Sequence, residues 1–318
     1  MKMNKSPLRI VFMGTPSFAL APLKALCAHG YTPAAVYTQP DKVNRRGGKI
    51  SFSPVKSYAL EQNIPVFQPL TFKTEEALEE LRALRPDLIV VIAYGRILPQ
   101  AVLDIPTYGA VNIHASLLPE YRGAAPVQRA IIDEKKVTGV TLMKLDAGMD
   151  TGAMIAVKEV PISLSVTAGE LLDTLSAIGA EELLRILTDL PRALAKAVPQ
   201  DESRATYAEK LTKDMGRIVW EKPAETLHAL ARGMYPNPGT YTFFRGKRVK
   251  IHKTILGDTA PEGARPGEII SLHDGILWIA CGKGTLGIAR LQPENHKQMS
   301  AADFINGYQV KVNDTFEN

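Results

Sequence analysis

The sequence predicts an α/β protein in two parts: an N-terminal domain on a mostly parallel sheet, then a small OB-like β-barrel. Three observations carry this. Short apolar runs alternate with helical patterns through the first half, as a parallel sheet covered on both faces requires. One of those runs, Asp87 to Ala93, is almost wholly apolar, the mark of a strand buried on both sides. From Thr240 onward the helical patterns give way to short strand-like runs separated by glycines.

The elements follow in order. Residues 8–13 read as a first strand, closed by Gly14-Thr15-Pro16-Ser17 and followed by a helical pattern over 17–29. Pro33 to Thr38 is a second strand, Asp87 to Ala93 a third and Ala110 to His114 a fourth, with helical stretches such as Glu75 to Leu84 between them. Residues 137–145 and 153–160 are further strands, and 167–187 is a helix capped by Thr167 with Leu171, Leu175, Ile178 and Leu183 at helical spacing. The first domain is placed at 1–188, a linker at 189–208, where two prolines meet little amphipathic pattern, and the barrel domain at 209–318. After a helix over Ala224 to Arg232, five short strands follow, with turns at Gly246, Gly257, Gly275 and Gly284.

Composition narrows the function. Hydrophobic residues make up 45% and charged residues 22%, the mix of a folded globular protein. No apolar run reaches the length of a membrane span, so no membrane association is expected. Cys27 and Cys281 match no metal or redox spacing, and a disulfide framework is not expected. A reducing, cytoplasmic setting fits. The net charge of +5 concentrates in two places: Lys42, Arg45, Arg46 and Lys49, and then Arg245, Lys247, Arg248, Lys250 and Lys253. Two local basic patches suit a phosphate backbone, or are simply solvated loops.

The first turn, M-G-T-P-S-F, lacks the G-x-G-x-x-G spacing of a dinucleotide site and the G-x-x-x-x-G-K-[ST] of a P-loop. A nicotinamide cofactor and nucleotide hydrolysis are therefore rejected, and Gly14 is read as a turn residue. No metal-binding constellation is present. The chemistry lies further on. Asn112 and His114 are two apart in one strand and so face the same side. Residues 145–152, L-D-A-G-M-D-T-G, join two predicted strands and offer Asp146 and Asp150 on a glycine-flexed backbone. An amide, an imidazole and a carboxylate at strand ends of one sheet suit acyl transfer, which needs a proton handler and donors for an oxyanion.

The set Asn112, His114 and Asp150, with S-L-L-P-E-Y-R-G-A-A-P at 116–126 and L-D-A-G-M-D-T-G at 145–152, resembles the signature of the folate-dependent formyltransferases. R-I-V-F-M-G-T-P-S-F at 9–18, T-Q-P-D…S-P-V-K at 38–56 and T-Y-A-E-K-L at 206–211 are similar to the branch of that family acting on methionyl-tRNA. The resemblance implies a Rossmann-like catalytic domain and an OB-like tRNA-binding domain. It implies Asn112, His114 and Asp150 as the catalytic set, and Ser116, Leu117, Leu118 and Pro119 as lining the folate site. The donor would be 10-formyltetrahydrofolate and the acceptor methionyl initiator tRNA, with no metal, and a monomer is expected. Segment 41–49 resembles the family's insertion against the tRNA acceptor end, with Arg46 at a basic position. There Lys42-Val43-Asn44-Arg45 replaces the usual R-P-A-G.

The implied mechanism is direct attack of the methionine amine on the formyl carbon. Asn112 and His114 would donate to the oxyanion, with Asp150 supporting proton movement at the imidazole. Two rivals remain: a formyltransferase for a small amine, such as glycinamide ribonucleotide or an amino sugar, and a non-catalytic RNA-binding protein.

Overall fold

The computed structural model describes residues 8–43 and 50–318. The chain divides into two compact units: one formed by residues up to Gly123, Thr138–Val160 and Leu172–Tyr207, the other by Ala124–Val137, Pro161–Leu171 and Ala208–Asn318.

The first unit is built on a seven-stranded sheet. Its strands are β1 (Ile10–Gly14), β2 (Ala35–Tyr37), β3 (Val66–Phe67), β4 (Leu88–Ile92), β5 (Ala110–His114), β6 (Val137–Lys144) and β7 (Met154–Pro161), in the spatial order β7-β6-β5-β4-β1-β2-β3. From β5 to β3 every pairing is parallel, while β6 runs antiparallel to β5. The central strands β1, β4 and β5 are buried at every residue, which is why their sequences are apolar runs rather than alternations. Val11, Met13, Tyr37, Leu81, Ile89 and Val91 lie in the core of one face.

The helices are set by their caps. Thr74 accepts from the Ala77 N–H at 3.4 Å to start α3 (Glu75–Ala83), following α1 (Leu20–Ala28) and α2 (Pro54–Glu61). α4 (Pro126–Ile132) precedes β6, and α5 (Ala168–Leu187) begins with the predicted Thr167: the Thr167 N–H donates to Glu170 Oε2 at 2.9 Å in a capping box. Gly14 does more than make a turn. A Cβ there would stand 2.8 Å from the Ala19 side chain and 3.0 Å from the Ile92 carbonyl, so the first turn demands close backbone approach. The stretch 189–208, read as a linker, carries a short helix, α6 (Leu190–Ala195), and Val198 exchanges two 2.8 Å backbone hydrogen bonds with Met154.

The second unit carries α7 (Ala224–Met234) and a curled antiparallel sheet of β8 (Thr240–Phe244), β9 (Lys247–Leu256), β10 (Ile269–Ser271), β11 (Leu277–Ala280), β12 (Thr285–Pro293) and β13 (Phe316–Glu317), in the order β10-β11-β12-β9-β8-β13. A bridge between Glu268 and Thr315 links the strand at one end of this order to the segment at the other, giving the sheet its barrel-like curl. Trp220, Phe244, Ile251, Leu286, Phe304 and Phe316 fill its interior. All five predicted strands are present. The chain is an α/β protein with a mostly parallel N-terminal sheet and a curled antiparallel C-terminal one.

Candidate active site

β5 positions the first two residues. Val111 and Ile113 face the helix side, where a Cβ on Gly179 of α5 would come within 2.7 Å of Ile113. Asn112 and His114, offset by one, therefore share the opposite face. Asn112 is 8% and His114 6% exposed. Among the described residues the Asn112 side-chain amide has no protein partner and stays open to solvent.

His114 is held from both sides. Nε2 lies 2.9 Å from the Tyr121 carbonyl, and a carbonyl can only accept, so Nε2 carries the hydrogen. That leaves Nδ1 as the open ring nitrogen, and it faces Asp150 Oδ2 at 3.7 Å, a separation wider than a hydrogen bond. His114 and Asp150 thus face each other, and Asn112 lies two residues before His114 on the same strand.

Asp150 sits in the β6–β7 connection with φ of +55°, a left-handed conformation that Asp tolerates better than most residues. Its Oδ2 accepts from the Gly123 N–H at 2.8 Å. Asp146 turns away from this group, accepting instead from the Gly148 N–H at 3.0 Å and the Thr151 hydroxyl at 2.6 Å within its own loop. The loop is close-packed: a Cβ on Gly152 would stand 1.7 Å from the Lys144 carbonyl.

Residues 116–119 form the turn after β5. The Ser116 hydroxyl is fully buried and donates to the Glu120 carbonyl at 2.6 Å. The Thr141 hydroxyl donates to the Ser116 carbonyl at 2.7 Å and accepts from the Leu118 N–H at 3.1 Å. Leu118 and Pro119 are buried and Leu117 is half-buried, so Leu117 presents the most surface of the four.

Sequence reasoning missed Gln200 and Glu202, which fell in the apparent linker. Gln200 Nε2 donates to the carbonyls of Asp150 and Gly152, both at 2.8 Å. Its Oε1 accepts from Arg122 Nε at 3.1 Å and Nη2 at 2.8 Å. Arg122, 1% exposed, also forks onto Glu202 at 2.6 and 2.8 Å. The hydrogen bonds from Arg122 hold the Glu202 carboxyl below its usual range, and Glu202 in turn raises the guanidinium's already high value. The only early signal was the polar run P-Q-D-E a few residues before T-Y-A-E-K-L.

The basic residues divide. Arg45, Arg46 and Lys49 lie outside the described residues, as does the side chain of Lys42. The ends of that segment are described. Gln68 Nε2 donates to the Gln39 carbonyl at 2.7 Å and to Asp41 Oδ1 at 3.1 Å, while Lys56 donates to Gln68 Oε1 at 2.8 Å and pairs with Asp41. The hydrogen bond from Lys56 lowers the Asp41 carboxyl below the usual range. Thus the T-Q-P-D and S-P-V-K motifs clamp the two ends together. In the second unit, Arg245 and Gly246 both have positive φ in the two-residue β8–β9 hairpin. Arg245 pairs with Asp314 at 3.0 Å, and Arg248 stacks 3.8 Å over the Tyr241 ring. Lys247 and Lys250 are exposed and, among the described residues, have no protein partner. A separate cavity of about 900 Å³ lies in this unit among His228, Arg232, His252, Lys253 and Arg290, and contains none of the three candidate catalytic residues.

Comparison with known proteins places this geometry. The formyl transferase profile matches residues 8–187, and that of the formyl transferase C-terminal domain matches residues 210–309. The chain belongs to the formyl transferase family. Over nearly its whole length it is similar to the methionyl-tRNA formyltransferase of Acetivibrio thermocellus, 46% identical across 95% of this chain and 97% of the relative. The methionyl-tRNA formyltransferase of Pseudomonas fluorescens is 47% identical across 96% and 95%. Among solved structures, HypX from Aquifex aeolicus in complex with tetrahydrofolic acid shares the fold at a TM-score of 0.66 and 19% identity, over 96% of this chain. This chain spans about half of HypX, 48% of its length. An N-formyltransferase from Helicobacter canadensis, in complex with folinic acid and dTDP-3-aminofucose, gives a TM-score of 0.66 at 19% identity, covering 88% of this chain and 98% of that one.

Proposed function

We propose that this chain transfers the formyl group of 10-formyltetrahydrofolate to the amino group of methionyl initiator tRNA, releasing tetrahydrofolate and N-formylmethionyl-tRNA for translation initiation. The observation that carries the chemistry is the convergence of an unpartnered Asn112 amide with His114 Nδ1 and Asp150 at the end of β5. The choice of acceptor rests on relatives 42–47% identical, all named for methionyl-tRNA. The folate donor is supported by the folate ligands named with structural neighbours.

In this reading the neutral amine attacks the formyl carbon. A C–N bond forms, the carbonyl oxygen becomes an oxyanion, and collapse re-forms the carbonyl and breaks the bond to N10 of the folate; the proton lost from the amine nitrogen balances the one N10 takes up as tetrahydrofolate leaves. The Asn112 amide donates to the oxyanion, and His114, protonated on Nδ1 beside Asp150, is the second donor. The Tyr121 carbonyl keeps Nε2 protonated throughout, so Nδ1 alone exchanges the mobile proton. Ser116 to Pro119 would flank the folate, with Leu117 offering the accessible apolar surface. Lys42, Arg45, Arg46 and Lys49, with Arg245, Lys247, Arg248 and Lys250, would meet tRNA phosphates. Lys247 and Lys250 suit this best, since their ammonium groups are uncommitted. The division of labour is then catalysis in 1–188, a connection through 189–208 and tRNA holding in 209–318, in a cytoplasmic enzyme.

The deciding experiment measures formyl incorporation from 10-formyltetrahydrofolate into methionyl initiator tRNA, with a nucleotide-linked amino sugar and glycinamide ribonucleotide offered in parallel. The reading expects transfer to the charged tRNA that disappears in His114→Ala. Transfer confined to a small amine would overturn the assigned acceptor.

A further inference from the structure

Gln200 reaches the active-site loop from outside the three motifs that define it. Each N–H of its amide is spent on one carbonyl of that loop, Asp150 and Gly152, both at 2.8 Å. Its oxygen is spent on Arg122, at 2.8 and 3.1 Å. The amide is 9% exposed, and Arg122 is itself anchored by Glu202. Arg122 therefore dictates which end of the amide faces the loop, because a guanidinium can only donate and so takes the oxygen. The nitrogen is left for the two carbonyls. The backbone it grips is under strain: Asp150 has φ of +55°, and Gly152 is where a side chain has no room. A 3.7 Å gap between Asp150 Oδ2 and His114 Nδ1 is sensitive to small shifts of this loop.

We infer that Gln200 is a positioning residue for the formyl transfer: oriented by Arg122, it clamps the Asp150–Gly152 backbone and so sets the carboxylate against His114. The inference rests on the catalytic roles proposed for His114 and Asp150. It assigns a further duty to residues 200–202, which serve the site from the stretch read in the sequence as a linker.

The clamp has a distinctive weakness. In Gln200→Glu the shape and the bond to Arg122 remain, and the latter becomes a charge pair. The edge facing the loop, however, changes from donor to acceptor and confronts two carbonyls. A residue needed only for packing would tolerate this exchange. Positioning predicts otherwise: kcat falls on the order of 10- to 100-fold, the loss that sub-ångström to ångström misplacement of catalytic groups produces. The KM values for folate donor and charged tRNA should stay within about twofold, while Tm falls modestly as the two carbonyls lose their donors.

The experiment measures kcat, both KM values and Tm for the full-length enzyme carrying Gln200→Glu, Asp150→Ala, or both. The expected result is a kcat loss in Gln200→Glu that adds nothing to the loss in Asp150→Ala, since the amide acts through that residue. Wild-type kcat in Gln200→Glu, or losses that multiply in the double variant, would overturn the clamp. If Asp150→Ala itself turns over normally, the catalytic reading fails, a result separate from failure of the clamp alone. Should Gln200→Glu not fold, Gln200→Ala carries the same cycle with the same two outcomes.

Discussion

Asn112 lies on a buried strand, yet its amide has no partner among the described residues and stays open to solvent. In the proposed reaction that open amide donates to the developing oxyanion, an interaction made in the transition state, where it counts for rate. Asn112→Ala should lower kcat by about 10²–10³ while leaving Tm close to unchanged, since the amide makes no hydrogen bond within the described residues. Turnover near wild type would refute the assigned role. At this scale the sequence was informative for β5, where alternate positions of a short strand place Asn112 and His114 together. It was uninformative for Gln200, because an amide's duty depends on carbonyls about fifty positions away. It also could not show which nitrogen of His114 is open, since that follows from the Tyr121 carbonyl.

The elements around the site are short and held by backbone constraints rather than by large apolar faces. The β6–β7 connection is the clearest case: Asp146 ties the loop to itself, and Gly152 passes too near Lys144 for any side chain. Gly152→Ala should destabilise by at least about 1–3 kcal/mol, seen as a lowered Tm, with activity falling as the Asp150 backbone moves. An alanine variant with wild-type Tm would contradict that packing. The long buried strands and the Thr167 cap were legible because period and cap chemistry are local signals. α6 was not: it has six residues, and Pro191 resembles a breaker, although in the structure it sits in the first turn behind Asp189, where proline is favoured. β3 and β13 escaped for a related reason, since two residues carry no period.

The molecule as a whole carries a pH dependence that originates away from the chemistry. In the second unit His228 accepts from the Thr254 hydroxyl at 2.7 Å and donates to the Leu164 carbonyl at 2.8 Å. Burial pushes its pKa below the ordinary 6.5, and His252 moves the same way, with Lys250 and Arg290 adding to the effect. The unfolded chain therefore binds protons that the folded chain refuses, so stability present above the ordinary value is lost as pH falls below it. Tm should drop between about pH 7.5 and 5.5, more steeply in the wild type than in His228→Gln. Identical slopes would assign the dependence elsewhere. Cys281, its thiol pushed up to about 12 by burial, should meanwhile stay unmodified by alkylating reagents in the folded protein.

The knot of Asp41, Lys56 and Gln68 fastens the described residues on either side of the basic segment. These contacts run to each other and to the β2 exit, and none of them touches His114 or Asp150. The anchoring on either side of that segment and the setting of the His114–Asp150 pair are carried by different residues, so a change in one does not pass through a shared hydrogen bond to the other.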